Sequence, residues 1–391
     1  MVSRFAIICL LAALSFKTSA EAGTVYTTNG PWGDLKVSEL FVHQDEQFFD
    51  LVPTPSAKTI WKFADLKTVD QLADFLDDAL SKRNSSDRQA IQSLISIQEI
   101  RGVETRAFPT PDFILELTDE ERLAIYSRLA NHKQNTYHRK PVFIDSESVE
   151  EWFKGSKLDY KVIKLIEKLS YPVGDSLAFS DIPLVLGTVA RKSDEFEILQ
   201  ALTRTRYLLL ELSITAQSDI NGLRDYWFPA HLKDLSSESI FVSLTRADTV
   251  PITLDITDFL PSLPRKRLGD FPTIEDGVSG AYPGGFWSSF NFFNEEPDEE
   301  EPDLDNLEDT ISQRYERTEE PYRYGDMIVL RDAGDSKILH ACIYIADNIA
   351  FTKNSRSILT PWVMMHLKFI KSRFSLNREV EIEGWRLKSP E

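Results

Sequence analysis

The amino-acid sequence predicts an α+β chain of more than one domain. Capping boxes that open amphipathic helices alternate with short β-branched and aromatic runs bounded by proline and glycine. The 391 residues exceed what one hydrophobic core usually organises. No repeat of fixed period runs through them, which sets solenoids aside.

The first residues read as an export signal. Arg4 precedes an apolar run from Phe5 to Leu14 and then Thr18-Ser19-Ala20, the layout of a secretory signal peptide spanning 1–22 and cleaved after Ala20 or Ala22. The destination is periplasmic or extracellular. The apolar run falls short of the about 20 residues a spanning helix needs, and no later stretch supplies them, so no membrane span is expected. Cys9 lacks the setting of a lipidated cysteine. Its removal leaves Cys342 alone, so packed cores must replace intrachain disulfides. The formal net charge of −18 disfavours nucleic acid and anionic lipid as partners.

The residues after the signal divide into 23–117, 118–264 and 265–391. The first stretch opens with strand-like runs at Leu40–Val42 and Phe48–Val52, broken by Pro53 and Pro55. Thr68 with Gln71 forms a capping box, followed by Val69, Leu72, Leu76 and Leu80 on one helical face. Phe113-Ile114-Leu115 reads as a strand. Thr118 with Glu121 caps the next helix, which carries Leu123, Tyr126 and Leu129.

Residues Ser148 to Arg206 read as mainly helical, whereas Tyr207–Ile214 and Ile240–Leu244 have strand composition. Prolines 261, 264, 272 and 283 punctuate a boundary, and Arg265-Lys266-Arg267 within it reads as a solvated linker. Phe286, Phe290 and Phe293 at helical spacing mark a buried helix beginning after Gly284-Gly285. Glu295 to Asp309 holds ten carboxylates and no basic side chain. This acidic loop, 295–309, lacks EF-hand spacing and the central glycine, so it reads as solvated rather than as a calcium site.

From Tyr324 come three strand candidates with short turns, at Gly325–Leu330, Ile338–Ile345 and Ile349–Lys353, hence an antiparallel meander. Thr360-Pro361 reads as the start of a helix through Phe374, and Val380–Leu387 as a last strand.

In this C-terminal third, Gly325-Asp326 precedes His340-Ala341-Cys342-Ile343-Tyr344-Ile345-Ala346. The pattern resembles the NlpC-type family of papain-like cell-wall peptidases, in which a strand beginning Gly-Asp precedes a His-Val-Gly-Ile-Tyr-Ile-Gly strand. The resemblance implies a papain-like module, a helix packed on an antiparallel sheet, at 265–391. It puts His340 in the base position, Lys353 or Asn354 in the orienting position, and Gly285 or Phe286 where the family has its nucleophilic cysteine. Neither of those residues can attack a carbonyl, so a non-catalytic binding or scaffolding module is expected. Cell-wall peptide, or another peptide-like ligand, is the implied partner, with Gly285, Trp287 and Tyr344 as candidate binding residues.

The alternative is an amide hydrolase with His340 as base and Ser288, Ser289 or Cys342 as replacement nucleophile. The two serines lie one turn beyond residue 285. Cys342 lies about 6.5 Å from His340 along the same strand, where a small buried hydrophobe is the simpler role. A third possibility is a structural protein whose N-terminal region carries the function.

No cofactor is implied, because no Gly-rich phosphate loop follows a strand. His132 and His138, six apart in a polar loop, match no metal spacing and read as structural or solvent-exposed.

Overall fold

The computed structural model describes residues 25–45, 59–100, 103–229, 238–239, 241–243, 251–278, 280–298 and 302–388. The signal-peptide expectation at 1–22 and the strand expectation at 48–52 lie outside them. The chain is mixed α+β, with four antiparallel sheets among the described residues.

Residues 59–202 build the first body. Trp61–Phe63, Glu104–Pro109 and Ile95–Ile100 make one small sheet, and Val142–Ile144, Ser176–Phe179 and Tyr171–Val173 another. Both capping boxes form: Thr68 and Gln71 open helix Val69–Ala79, and Thr118 and Glu121 open Asp119–Ala130. One apolar core, including Trp61, Leu72, Phe113, Tyr126, Trp152 and Ile166, runs without interruption past residues 117–118, where the sequence suggested a boundary.

Phe113 and its neighbours belong to helix Pro111–Glu116, not to a strand. Thr110 accepts from the Phe113 N–H and Pro111 occupies the first turn, where its missing N–H costs nothing. The stretch 148–206 is also less helical than its composition suggested, since it contributes Tyr171–Val173 and Ser176–Phe179 to a sheet.

The second body joins the chain's beginning to its end. Val25–Gly30, Gly33–Val42, Thr205–Ile214 and Ile252–Asp255 form a four-stranded sheet. Gly33–Val42 pairs directly with Thr205–Ile214, so the whole first body lies between two neighbouring strands. Residues 241–243 are helical, against the strand expected there.

A six-stranded sheet follows in the order Tyr315–Thr318, Val380–Leu387, Met327–Asp332, Ile338–Ala346, Ile349–Thr352, Val363–His366. Its central strands are covered on both faces. Met327, Val329, Ala341 and Ile343 enter one core with Leu35, Leu210 and Trp287, whereas Ile328, Leu330 and Cys342 enter another with Ile370 and Val380. Successive side chains alternate faces, so a strand buried on both sides reads as an unbroken apolar run.

Thr360-Pro361 does not open a helix. Val363–His366 is the edge strand, and the helix is Leu367–Phe374, starting after His366. Arg265 and Lys266 are exposed as expected, but Arg265-Lys266-Arg267 is not a linker: it ends helix Ser262–Arg267. Arg265 donates to the carbonyls of Asp258 and Leu260, while Arg267 grips Asp276 at 2.6 Å and lies 4.9 Å over the Trp362 ring. The acidic tract is partly helical, because Leu307–Arg314 takes in Glu308 and Asp309.

Helix Leu367–Phe374 clasps the two bodies together. Arg373 donates to both oxygens of Asp145, at 2.9 and 2.6 Å, and Asp145 is fully buried. Ser372 Oγ accepts from the Asp175 N–H at 2.8 Å, and Ser127 Oγ donates to the Leu376 carbonyl at 2.9 Å. Removing one partner of a buried ion pair strands the other. Arg373→Ala is therefore expected to lower unfolding free energy in urea by about 3 kcal/mol or more. Arg373→Lys should recover only part of that, since an ammonium cannot reproduce the two-pronged contact.

Candidate functional site

The positions singled out by the C-terminal pattern meet where helix Gly285–Phe290 packs on strand Ile338–Ala346. His340 stands on that strand and is 3% exposed. Its ring stacks on Phe374, with centroids 4.7 Å apart and planes 21° from parallel. Gly285 opens the facing helix with its backbone pressed against the imidazole. A Cβ built on Gly285 would lie 2.1 Å from His340 Cε1, 2.4 Å from Nδ1 and 2.7 Å from the Ala341 carbonyl. Glycine fits because it has no side chain, and the imidazole fills the volume that a nucleophile at 285 would occupy.

His340 Nε2 meets Thr352 Oγ1 at 2.8 Å, and that hydroxyl donates to Asn354 Oδ1 at 3.1 Å. A hydroxyl that gives its proton to Asn354 must accept from Nε2–H, which leaves the imidazole lone pair on Nδ1, turned toward Gly285. The orienting residue is thus Thr352, one position from the expected pair. Asn354 acts one bond behind it, and its Nδ2 donates to Met365 Sδ at 3.1 Å. Lys353 is buried elsewhere, with Nζ donating to the carbonyls of Ser355 and Ser357 at 2.7 and 3.0 Å. Alternation along Ile349–Thr352 was the available signal for Thr352; the resemblance pointed one residue too far.

Burial, with a smaller contribution from Arg373, pushes the His340 imidazole down to about 3. It is a neutral, enclosed ring, and it lines none of the cavities described here.

The replacement nucleophiles are equally enclosed. Ser288 Oγ donates to the Gly284 carbonyl at 2.7 Å and accepts from Trp362 Nε1 at 2.8 Å. Ser289 is buried, and its Oγ has no hydrogen-bond partner among the described residues. Cys342 is fully buried with its thiol pushed up by desolvation, and Sγ donates to the Ile328 carbonyl at 3.8 Å. None of them lines a cavity described here.

The candidate binding residues serve packing. Trp287 donates from Nε1 to the Asp298 carbonyl at 2.7 Å and borders a separate hollow beside Lys266 and Asp276. The Tyr344 hydroxyl accepts from the Asn348 N–H at 3.3 Å.

A wide open volume lies elsewhere. A cleft of about 1020 Å³ runs between the turn after Val25–Gly30, helix Ile220–Trp227 and the segment before Met327. Asp34, Asp219 and Asp225 line one side, Tyr322 and Arg323 the other. Its floor is fixed. Arg386 grips Asp326 at 2.8 and 2.7 Å, Tyr226 donates to the Ile345 carbonyl at 2.8 Å, and Trp227 donates to the Trp32 carbonyl at 3.1 Å. Gly33, at φ +88°, lets the turn close over Leu212 and Leu223, both within 3 Å of where its Cβ would stand. Nothing in the apolar periodicity pointed to this cleft, because its walls come from segments far apart in the chain.

Among the described residues no three His, Cys, Asp or Glu side chains come together as a metal site, and no helix is long and apolar enough to cross a membrane. The chain matches no family model, no curated protein and no solved structure.

Two outcomes follow from the enclosed histidine. Gly285→Ala is expected to destabilise by about 1–3 kcal/mol through overpacking, read as a drop in urea midpoint, and Gly285→Cys should suffer similarly without gaining hydrolytic activity. An unfolded histidine takes up a proton near pH 6.5, whereas folded His340 resists protonation until about 3. Its contribution to stability is therefore complete above pH 6.5 and is lost as the pH falls toward 3. Unfolding free energy should decline more gently over that window in His340→Asn, by about 1.4 kcal/mol per pH unit.

Proposed function

We propose that this protein is exported and that its C-terminal third is a binding or scaffolding module, built on the NlpC-type papain-like layout without its hydrolytic chemistry. The observation that carries the reading is the contact between Gly285 and the His340 ring, which leaves no space for a nucleophile or a scissile bond. The His340–Thr352–Asn354 chain keeps the hydrogen-bond order of a base and its orienting groups, yet it serves as a packed polar core, with the ring stacked under Phe374.

The ligand is cell-wall peptide or another peptide-like molecule, taken in the cleft of about 1020 Å³. That volume is at the upper end of ligand pockets. The cleft offers an extended ligand carboxylates on one side and a guanidinium and a tyrosine on the other. Its fixed floor favours binding, since little order remains to be imposed on the protein.

Purified peptidoglycan incubated with the mature protein should release no peptides above the blank, with wild type and His340→Ala alike. The wild type should sediment with it, and Arg323→Glu together with Tyr322→Ala should reduce the bound fraction at least several-fold. Cleavage by the wild type that vanishes in His340→Ala would sink the reading.

A further inference from the structure

One corner of the cleft of about 1020 Å³ is built around Gly325-Asp326, the dipeptide that opens the C-terminal strand motif. Gly325 sits at φ +89°, a turn that suits glycine, and its N–H donates to the Tyr344 carbonyl at 3.0 Å. The Asp326 carboxylate, 2% exposed, takes three donors. Arg386 Nε reaches one oxygen at 2.8 Å, while Arg386 Nη2 at 2.7 Å and the Arg323 N–H at 2.8 Å share the other. The Asp326 N–H returns a 3.0 Å bond to the Arg323 carbonyl.

Asp326 thereby holds two arginines and leaves both with donors to spare. Arg386 is engaged through Nε and Nη2, and its Nη1 has no hydrogen-bond partner among the described residues. Glu316 stands opposite Arg386 in register but forms no ion pair with it. Arg323 is pinned through its backbone, and its exposed guanidinium has no ion-pair partner among the described residues. Both side chains line the cleft. Tyr322 stiffens the same wall: it meets Tyr344 edge to face at 5.8 Å and lies across Gly384, where a Cβ would collide with its ring.

The other side of the cleft carries Asp34, Asp219 and Asp225, all exposed. Each has a donor, in Asn29, the Gly222 N–H and Arg224 respectively. Only Arg224 among these donors is charged, so the aspartates keep a negative surplus.

We propose that the cleft captures a short peptide with both ends free, its C-terminal carboxylate on Arg386 Nη1 and the Arg323 guanidinium and its amino end toward the three aspartates. This rests on the peptide-ligand reading above and names the part of the peptide that is recognised. Guanidinium donors match carboxylate geometry and form strong charge-assisted hydrogen bonds. The buried carboxylate behind Arg386 fixes its orientation in advance, so little side-chain freedom is lost on binding. Asp34, Asp219, Asp225 and Asp326 face only Arg323 and Arg386 among the lining residues. An acidic side chain on the ligand would add to that surplus, whereas a free-ended peptide of neutral residues brings one charge of each sign.

The test measures, by calorimetry on the full mature chain, the binding of tetra-alanine with free ends. Its C-terminal amide, its N-acetyl form and the amide of Ala-Ala-Glu-Ala are the other arms. The free-ended peptide should bind one to one, the amide at least tenfold more weakly and the acetylated form at least threefold more weakly. The glutamate amide should not recover the loss. Arg323→Gln should weaken the free-ended peptide at least fivefold with an unchanged melting temperature, since that guanidinium has no partner to lose. Arg386→Gln alone would strand Asp326, so it is combined with Asp326→Asn, and this pair should bring acid and amide within about twofold of each other.

Sedimentation with peptidoglycan together with equal binding of acid and amide keeps the peptide reading and overturns the C-terminal capture. Preference for the free acid without sedimentation keeps the capture and removes the cell wall as its source. No binding of tetra-alanine at concentrations on the order of 10 mM overturns the capture. So does binding indifferent to acetylation or to Arg323→Gln, or full recovery by the glutamate amide.

Discussion

Burial of the central strands on both faces is the constraint on which the rest of this structure depends. An antiparallel sheet can leave one face in water, but here the four-stranded sheet and helix Gly285–Phe290 contribute to the core on one face, and helix Leu367–Phe374 to that on the other. Once both faces are covered, every polar side chain on Ile338–Ala346 must find a partner inside the protein. His340 finds Thr352, and Thr352 finds Asn354.

Helix Leu367–Phe374 links stability to the fate of the site. Phe374 lies over the His340 ring, and Arg373, one residue earlier, reaches Asp145 in the other body. Burial is the main cause of the low proton affinity of His340, and the guanidinium that adds to it is the one that ties the two bodies together. Opening a path to His340 past Phe374 would therefore disturb the helix that forms the interface between bodies.

Much of the fold was legible where local chemistry decides. Thr68 and Thr118 announced their helices because a capping box satisfies two backbone groups at once, and Val380–Leu387 was apparent as a strand before its partners were known. Phe113 was misread although Thr110 and Pro111 held the helix-start signal; three apolar residues together suggested a strand more strongly than the cap suggested a helix. Val363–His366 hid behind Thr360-Pro361 for the converse reason, since an apparent cap outweighed a short β-branched and methionine run. The site was legible only as a list. His340 and Gly285 were found from the motif, but their direct contact, the role of Thr352 and the burial of His138 depend on segments that meet only in three dimensions.

The pairing of Gly33–Val42 with Thr205–Ile214 has a consequence for how the chain assembles. Lys36 and Glu211, which form a 2.6 Å ion pair across these strands, are 175 positions apart. The hairpin made by the first two strands must wait, unsupported, until the whole intervening body has emerged and its ends have come together. Folding of that body shortens the loop to be closed from a long random segment to the gap between its own ends, and the closure entropy falls accordingly. Connectivity thereby favours folding of the inner body before the outer sheet closes across it.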